Sequence, residues 1–159
     1  MKQVRIPMEE LVPMLQLQME GAGSAWLRVT GGSMMPMLYG LRDSVCLQPV
    51  GKPLQKGDVI LYRRDNGAYV LHRILKVRGE SLTLCGDNQC RTEAVRQTQV
   101  LAVVTAFTRK GKQWTVQQKA YRRYVAFWVA MHPLRWLYIG PRRLLGKLRA
   151  AILHKKTRG

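Results

Sequence analysis

Six short runs of strand-forming residues, separated by turn residues, occupy the middle of the chain and constrain its fold more than any other feature. Between Ala25 and about residue 108 they read AWLRVT, SVCLQPV, DVILYRR, AYVLHRILKV, SLTLC and VLAVVTAFT. Asp65-Asn66-Gly67 and Arg78-Gly79-Glu80 separate successive runs in the way that hairpin turns do. The sequence therefore predicts a mainly β fold, a compact antiparallel coiled sheet or small barrel.

Helical segments are predicted on both sides of this β-region. Apolar residues recur at helical spacing over residues 8–19 and stop before Gly21-Ala22-Gly23, which predicts a short amphipathic helix. Residues 1–23 therefore form an N-terminal helix and linker, and residues 24–110 form the β-domain. Residues 111–159 are rich in aromatic residues and arginines, and they are predicted to form a basic helical appendage.

The positive charge of the chain is concentrated in its last third. The 159 residues carry a net charge of +18, and residues 94–159 hold 15 basic residues and no carboxylate. A field of one sign attracts polyanions, which points to nucleic acid or to an anionic membrane surface. The apolar stretch 124–140 contains His132, Pro133 and Arg135, so two interfacial helices broken near a proline fit it better than a spanning helix. Membrane contact is expected from Trp128, Arg135 and Trp136.

The cysteines and the N-terminal residues indicate the compartment. Cys46, Cys85 and Cys90 form no CxxC motif and are too few for a metal site, so we expect no metal and a reducing compartment. A pairing of Cys85 with Cys90 stays open. No apolar run near the N-terminus matches a cleavable signal peptide. We therefore expect a protein that is associated with the membrane peripherally or by its C-terminal segment, and that otherwise faces the cytoplasm.

Three short blocks contain residues that could carry chemistry. They are Gly31-Gly32-Ser33-Met34-Met35-Pro36, Leu71-His72-Arg73-Ile74 and Gly86-Asp87-Asn88. A serine hydroxyl needs a neighbouring base to become a nucleophile, and a histidine with a pKa near ~6.5 suits that task. Alternation along a strand places His72 on the opposite face from its two neighbours. Glycines before Ser33 leave its backbone open to a substrate.

These blocks, together with Lys56-Gly57-Asp58-Val59-Ile60, resemble the signal peptidase I family over about residues 24–108. The resemblance is to the Ser-His type, as in archaeal and endoplasmic-reticulum signal peptidases. It implies a catalytic β-domain of the signal-peptidase type and a serine endopeptidase that cleaves a signal or leader peptide after small residues through an acyl-enzyme. It implies a peptide or precursor-protein substrate and no cofactor.

The resemblance also implies roles for individual residues. Ser33 takes the place of the nucleophile, His72 that of the general base and Asp87 that of the acid that orients the histidine. Glu93 stands where the family often has a second acid, usually aspartate. The oxyanion site and the substrate groove are expected at Gly32, Met34 and Met35.

Two departures from the family pattern leave other functions open. The family has an N-terminal transmembrane helix that this sequence lacks, and Gly31 stands where relatives often carry a hydroxyl. One alternative is a LexA-like regulator that binds nucleic acid through the basic segment, although no helix-turn-helix precedes the β-domain. A second alternative is a catalytically inactive relative that only binds peptides.

Overall fold

Eight antiparallel strands form one open sheet in the computed structural model, which describes residues 7–137, 139 and 141. The strands are β1 (Ala25–Arg28), β2 (Ser44–Gln48), β3 (Val59–Arg63), β4 (Tyr69–Arg78), β5 (Ser81–Cys85), β6 (Glu93–Arg96), β7 (Val100–Arg109) and β8 (Lys112–Thr115). The helices are α1 (Met8–Ala22) and α2 (Lys119–Ala130), with 3-10 turns at Gln97–Gln99 and His132–Leu134. The predicted mainly β, antiparallel fold with an N-terminal helix and C-terminal helices is confirmed.

The order of the strands across the sheet is β1-β2-β7-β3-β4-β5-β6. The path ends at β1 and β6, so the sheet stays open and does not close into the small barrel that was the other expectation. β7 is long enough to pair with β2 along one edge while its two ends pair with β3 and β8 on the other. Because β8 belongs to the sheet, the β-domain extends past residue 110.

Both faces of the sheet are covered by apolar side chains. Alternation along β3 sends Val59 and Leu61 to one face and Ile60 and Tyr62 to the other. The first core includes Val45, Leu47, Val59, Leu61, Ala102, Val104, Phe107 and Tyr121. The second core consists of Leu54, Ile60, Tyr62, Ile74, Leu82, Leu84 and Val95. The central strand β3 therefore contributes side chains to the first core on one face of the sheet and to the second core on the other.

The N-terminal helix is confirmed and packs on the first core. Leu15 and Met19 lie on its buried face, and the helix ends at Gly23, whose φ of 72° is the left-handed conformation that glycine favours. Its opposite face is exposed at Met14 and Leu17. The amphipathic pattern of the sequence therefore corresponds to a helix with one face on the sheet.

The C-terminal part of the chain returns to the β-domain. Tyr121 of α2 is buried in the first core, and its ring centroid lies 5.1 Å from that of Phe107. No helix among the described residues has the length and apolar character needed to cross a bilayer. The second predicted interfacial helix falls mostly on residues 142–159, which lie outside the described part.

Candidate active site

Ser33 lies in the turn that follows β1, and this turn is held to the segment after β5. The backbone N–H of Asn88 donates to the carbonyl of Ser33 at 2.7 Å, and the side-chain amide of Asn88 donates to the carbonyl of Gly32 at 3.3 Å. The backbone N–H of Ser33 donates no hydrogen bond to any of the residues that the structure describes. The turn therefore has a fixed backbone and a free donor beside the hydroxyl.

Gly86 is the place where Ser33 and His72 come together. A Cβ on Gly86 would lie 3.1 Å from Ser33 Cβ, 3.1 Å from His72 Nε2 and 2.7 Å from the carbonyl oxygen of Ser33. Two atoms that each lie 3.1 Å from one point are at most twice that distance apart, about 6.2 Å. The Ser33 hydroxyl is one bond beyond Cβ, so rotation about Cα–Cβ moves it towards or away from Nε2. Only glycine leaves room for this approach.

The other ring nitrogen of His72 is held by an acid and a phenol. Nδ1 lies 2.9 Å from Glu93 Oε1 and 3.1 Å from the hydroxyl of Tyr62. Tyr62 also donates to Glu93, and Arg64 binds both oxygens of that carboxylate at 2.7 Å. The orientation of the His72 ring is therefore set by its hydrogen bonds with Glu93 and Tyr62, and Arg64 holds Glu93 in place.

The tautomer of His72 follows from what these partners can accept. Burial raises the pKa of the Glu93 carboxyl, but hydrogen bonds from Arg64 and Tyr62 outweigh burial and lower the pKa to about 2. The Tyr62 hydroxyl donates to Glu93, so its oxygen is left as an acceptor. Both neighbours of Nδ1 accept, so Nδ1 carries the proton and Nε2 keeps its lone pair.

Burial also keeps the ring of His72 neutral. Removal from water lowers the pKa of His72 below its usual value, and the nearby Glu93 carboxylate opposes this only in part. At pH 7 the ring is therefore mostly uncharged and can take a proton at Nε2, the nitrogen that lies within about 6.2 Å of Ser33 Cβ. A neutral, oriented histidine next to a serine is the arrangement that general-base catalysis requires.

Asp87 does not contact the ring that it was expected to orient. Its carboxylate is fully buried and accepts two hydrogen bonds from Arg73, at 2.8 Å from Nε and 2.7 Å from Nη2. Cys85 pairs with Arg73 across β4 and β5, and Asp87 follows it by two residues, on the Arg73 side. The predicted hydrogen bond from His72 to Asp87 is therefore wrong, and Glu93 accepts that bond instead.

Arg73 uses all five of its N–H donors inside the protein. Besides Asp87, it donates to the carbonyl of Gly57, the hydroxyl of Tyr121 and the sulfur of Met37. The guanidinium therefore links the loop before β3, the end of the serine turn and helix α2. A buried ion pair with every polar atom satisfied is a structural element, not a reactive one.

The residues expected to form the groove are divided between the surface and the core. Gly32 is exposed and Met35 is half-buried, so both can contact a substrate. Met34 is 1% exposed and belongs to the first core. Its side chain therefore does not line a groove, which corrects the prediction, because it packs among the apolar residues of the first core.

The three residues expected at the membrane also differ in exposure. Trp136 is 62% exposed. Trp128 is half-buried, and its ring stacks on that of Tyr124 at 5.8 Å. Arg135 is 2% exposed and donates to the carbonyl of Gly86 at 3.2 Å, so the prediction that it contacts headgroups is wrong. Among the described residues of this region, the large exposed apolar ones are Phe127, Leu134, Trp136 and Leu137.

Tyr62 and Arg64 are the members of the site that sequence reasoning missed. They stand two residues apart in the run DVILYRR, so strand alternation places them on one face. Ile60 pairs with His72, so the residues at even positions of β3 share the face of the histidine. Pairing this run with AYVLHRILKV as a hairpin would have identified Tyr62 as a neighbour of His72.

The three cysteines form neither a disulfide nor part of a metal-ligand cluster among the described residues. All three cysteines are free, so the open alternative of a Cys85–Cys90 disulfide is not realised. Burial raises the pKa of Cys85 to about 11, which makes it an unreactive thiol at neutral pH. No cluster of metal-ligating side chains occurs among the described residues.

Comparison with known proteins adds no assignment. No protein-family model matches the chain, and no curated protein matches it in sequence. The function is therefore inferred from the geometry of the site and from the motif resemblance alone.

Proposed function

We propose that the chain is a serine endopeptidase with Ser33 as nucleophile and His72 as general base. The observation that carries the proposal is that Ser33 Cβ and His72 Nε2 each lie 3.1 Å from the point that a Cβ on Gly86 would occupy. The Glu93 carboxylate, 2.9 Å from Nδ1, supplies the third member of a serine–histidine–acid arrangement. The motif resemblance to Ser-His signal peptidases supports the same pair independently of these distances.

The chemistry follows from the tautomer of His72. Ser33 Oγ attacks the carbonyl carbon of the scissile bond while Nε2 takes the hydroxyl proton. Glu93 stabilises the imidazolium that forms. The C–N bond then breaks, Nε2 gives its proton to the departing amine, and an ester remains on Ser33. A water molecule attacks this ester while Nε2 takes one of its protons. The C–O bond to Ser33 then breaks, Nε2 returns the proton to Oγ, and the acid product leaves.

The oxyanion of each tetrahedral intermediate needs donors near Ser33. The backbone N–H of Ser33 is free within the described residues and adjoins the hydroxyl, so it is the donor that we assign. Gly31 offers no hydroxyl for the same task. One such donor is worth about 3–4 kcal/mol in comparable enzymes, so the site depends strongly on the shape of this turn.

The substrate class that we propose is a signal or leader peptide cleaved after small residues. This part rests on the motif resemblance. β1 leads into the serine turn, and its edge away from β2 carries no strand in the part of the chain that the structure describes. An extended peptide can therefore add to this edge by backbone hydrogen bonds, which would lead it towards Ser33.

We also propose that the C-terminal region binds an anionic membrane surface. Four exposed apolar residues support this, namely Phe127, Leu134, Trp136 and Leu137. They lie within a segment that has 15 basic residues and no carboxylate.

Flotation with vesicles that contain phosphatidylglycerol tests the contact. Phe127→Ala with Trp136→Ala should reduce it, whereas Leu17→Ala, at an exposed apolar position of α1, should not.

Peptide cleavage followed by mass spectrometry tests the proposed activity. A pool of extended peptides with alanine or glycine at internal positions is incubated with wild type, Ser33→Ala and His72→Gln. Both variants should lose cleavage by at least about 10³-fold. Ser81→Ala, at an exposed serine that begins β5, is the matched control. Cleavage that persists in Ser33→Ala rejects the assignment, and salt-sensitive DNA retention without cleavage would favour the regulator alternative.

A further inference from the structure

Arg135 connects the C-terminal helical region to the turn on which the catalytic pair meets. Its Nη1 donates to the carbonyl of Gly86 at 3.2 Å, and its Nη2 donates to the carbonyl of Trp128 at 2.9 Å. The guanidinium carbon lies 5.0 Å from the centre of the Trp128 ring, in a cation–π contact. The side chain therefore joins the end of α2 to Gly86, the residue on which an added Cβ would contact both Ser33 and His72.

The placement of Arg135 is not explained by charge pairing. Asp87 Oδ1 is 4.0 Å from Arg135, but both oxygens of this carboxylate already accept hydrogen bonds from Arg73. Two buried arginines thus share one carboxylate. Burial lowers the pKa of Arg135, and Asp87 compensates only in part. Burying a cation that has no carboxylate of its own costs free energy. Stability therefore does not explain why Arg135 is buried against the carbonyls of Gly86 and Trp128.

The site supplies that reason. Gly86 presents one side to Ser33 and His72, where an added Cβ would meet both, and its carbonyl to Arg135. Asn88, two residues later, holds the carbonyl of Ser33 at 2.7 Å. A displacement of the Gly86 peptide therefore changes the separation of the nucleophile from its base. The two Nη groups of the planar guanidinium each bind one of the two carbonyls, so the fork holds Gly86 and Trp128 at a fixed separation.

We propose that Arg135 is a positioning residue of the peptidase, and that it sets the Ser33–His72 geometry by fixing the Gly86 peptide to the C-terminal helical region. The proposal rests on the proposed peptidase function. It means that the catalytic site is incomplete without a segment that follows the β-domain in sequence. Arg135 touches no substrate, so its effect is expected in the rate of the chemical step and not in binding.

Kinetics of Arg135→Gln and Arg135→Lys on a cleaved peptide test this inference. Arg135→Gln should lower kcat about 10- to 100-fold with KM within about twofold of wild type, because a misplacement of up to about 1 Å costs up to about 10²-fold. Arg135→Lys keeps the charge but not the fork, so it should recover only part of the rate. Arg78→Gln removes a charge from an exposed arginine at the end of β4 and serves as the control. Unchanged kcat in Arg135→Gln overturns the proposal.

Amide NMR spectra make the test independent of activity. In both Arg135 variants the ¹H–¹⁵N signals of Ser33, Gly86 and Asn88 should shift, while those of β2 and β7 stay in place. Shifts throughout the sheet together with a matching fall in Tm would assign Arg135 to general stability and overturn the proposal. If wild type cleaves no peptide while the local shifts occur, the proposed function fails and the positioning contact stands. If Arg135→Gln does not fold, Arg135→Lys decides by the same two readouts.

Discussion

Gly86→Ala is the substitution whose effect can be worked out most directly from the structure. The new Cβ would lie 2.7 Å from the carbonyl oxygen of Ser33, whereas ordinary contact begins at 3.4 Å. One of the two backbone segments must therefore retreat by the difference, about 0.7 Å. Ser33 Cβ and His72 Nε2, each at 3.1 Å, lie in the path of the same methyl group. The substitution thus forces apart the two groups that must exchange a proton.

The expected magnitudes differ for rate and stability. A misplacement approaching 1 Å costs about 10²-fold in rate, so kcat for peptide cleavage should fall between 10- and 100-fold. Overpacking lowers the free energy of unfolding by about 1–3 kcal/mol. Replacing glycine also reduces the conformational entropy of the unfolded chain, which offsets part of this loss. A net loss of about 1–2 kcal/mol lowers the Tm of a domain of this size by roughly 2–8 °C.

The assay pairs cleavage kinetics with thermal unfolding followed by circular dichroism. Gly51→Ala is the matched control, because a Cβ at this position meets nothing within 4 Å. It should leave both kcat and Tm close to wild type. A Gly86→Ala protein with wild-type Tm and turnover within twofold of wild type would refute the close approach of Ser33 and His72.

Three further predictions address the groups around His72. The wild-type kcat/KM should rise with pH through the pKa of His72, because only the neutral ring accepts a proton and burial places this pKa below 6.5; a midpoint above pH 7 would contradict this. Tyr62→Phe removes a hydroxyl shared by Glu93 and Nδ1, and denaturant unfolding should show a loss of about 1 kcal/mol. Asp87→Asn leaves Arg73 without its counter-charge, so we expect a loss of about 3–5 kcal/mol in the same assay. An Asp87→Asn protein of full stability that loses cleavage would instead favour the role that the motif suggested.

The strands that the sequence predicted are those with strong patterns. DVILYRR and AYVLHRILKV are rich in β-branched and aromatic residues and flank a turn with glycine, and they form the β3–β4 hairpin. β6 and β8 were missed, since EAVR and KQWT have four residues each and one buried position between them. Such edge strands are defined by their neighbours and not by their own composition. The central strands and the edge strand β1 were therefore predictable, whereas the short strands β6 and β8 were not.

The acid of the site could not be chosen from the motifs. Asp87 and Glu93 both follow the strand beside His72, and either could reach it along an extended chain. The choice depends on register: Glu93 pairs with Leu84 and Leu84 with Ile74, which shares the face of His72. Register depends on turns and bulges in three strands, including the shift between Ile74 and Lys76. These features appear only when the whole sheet is assembled.

The side chains of His72 and Arg73 point to opposite faces of the sheet, which limits the changes of length that β4 can tolerate. A shift of β4 by one position would bury an ionisable ring against Asp87 and turn a permanent cation towards the serine. Asp87 would then lose the two hydrogen bonds that it accepts from Arg73, and the hydroxyl of Ser33 would lose its proton acceptor. Insertions or deletions within this strand should consequently be absent from any working variant, and changes in length should accumulate in the loops on either side.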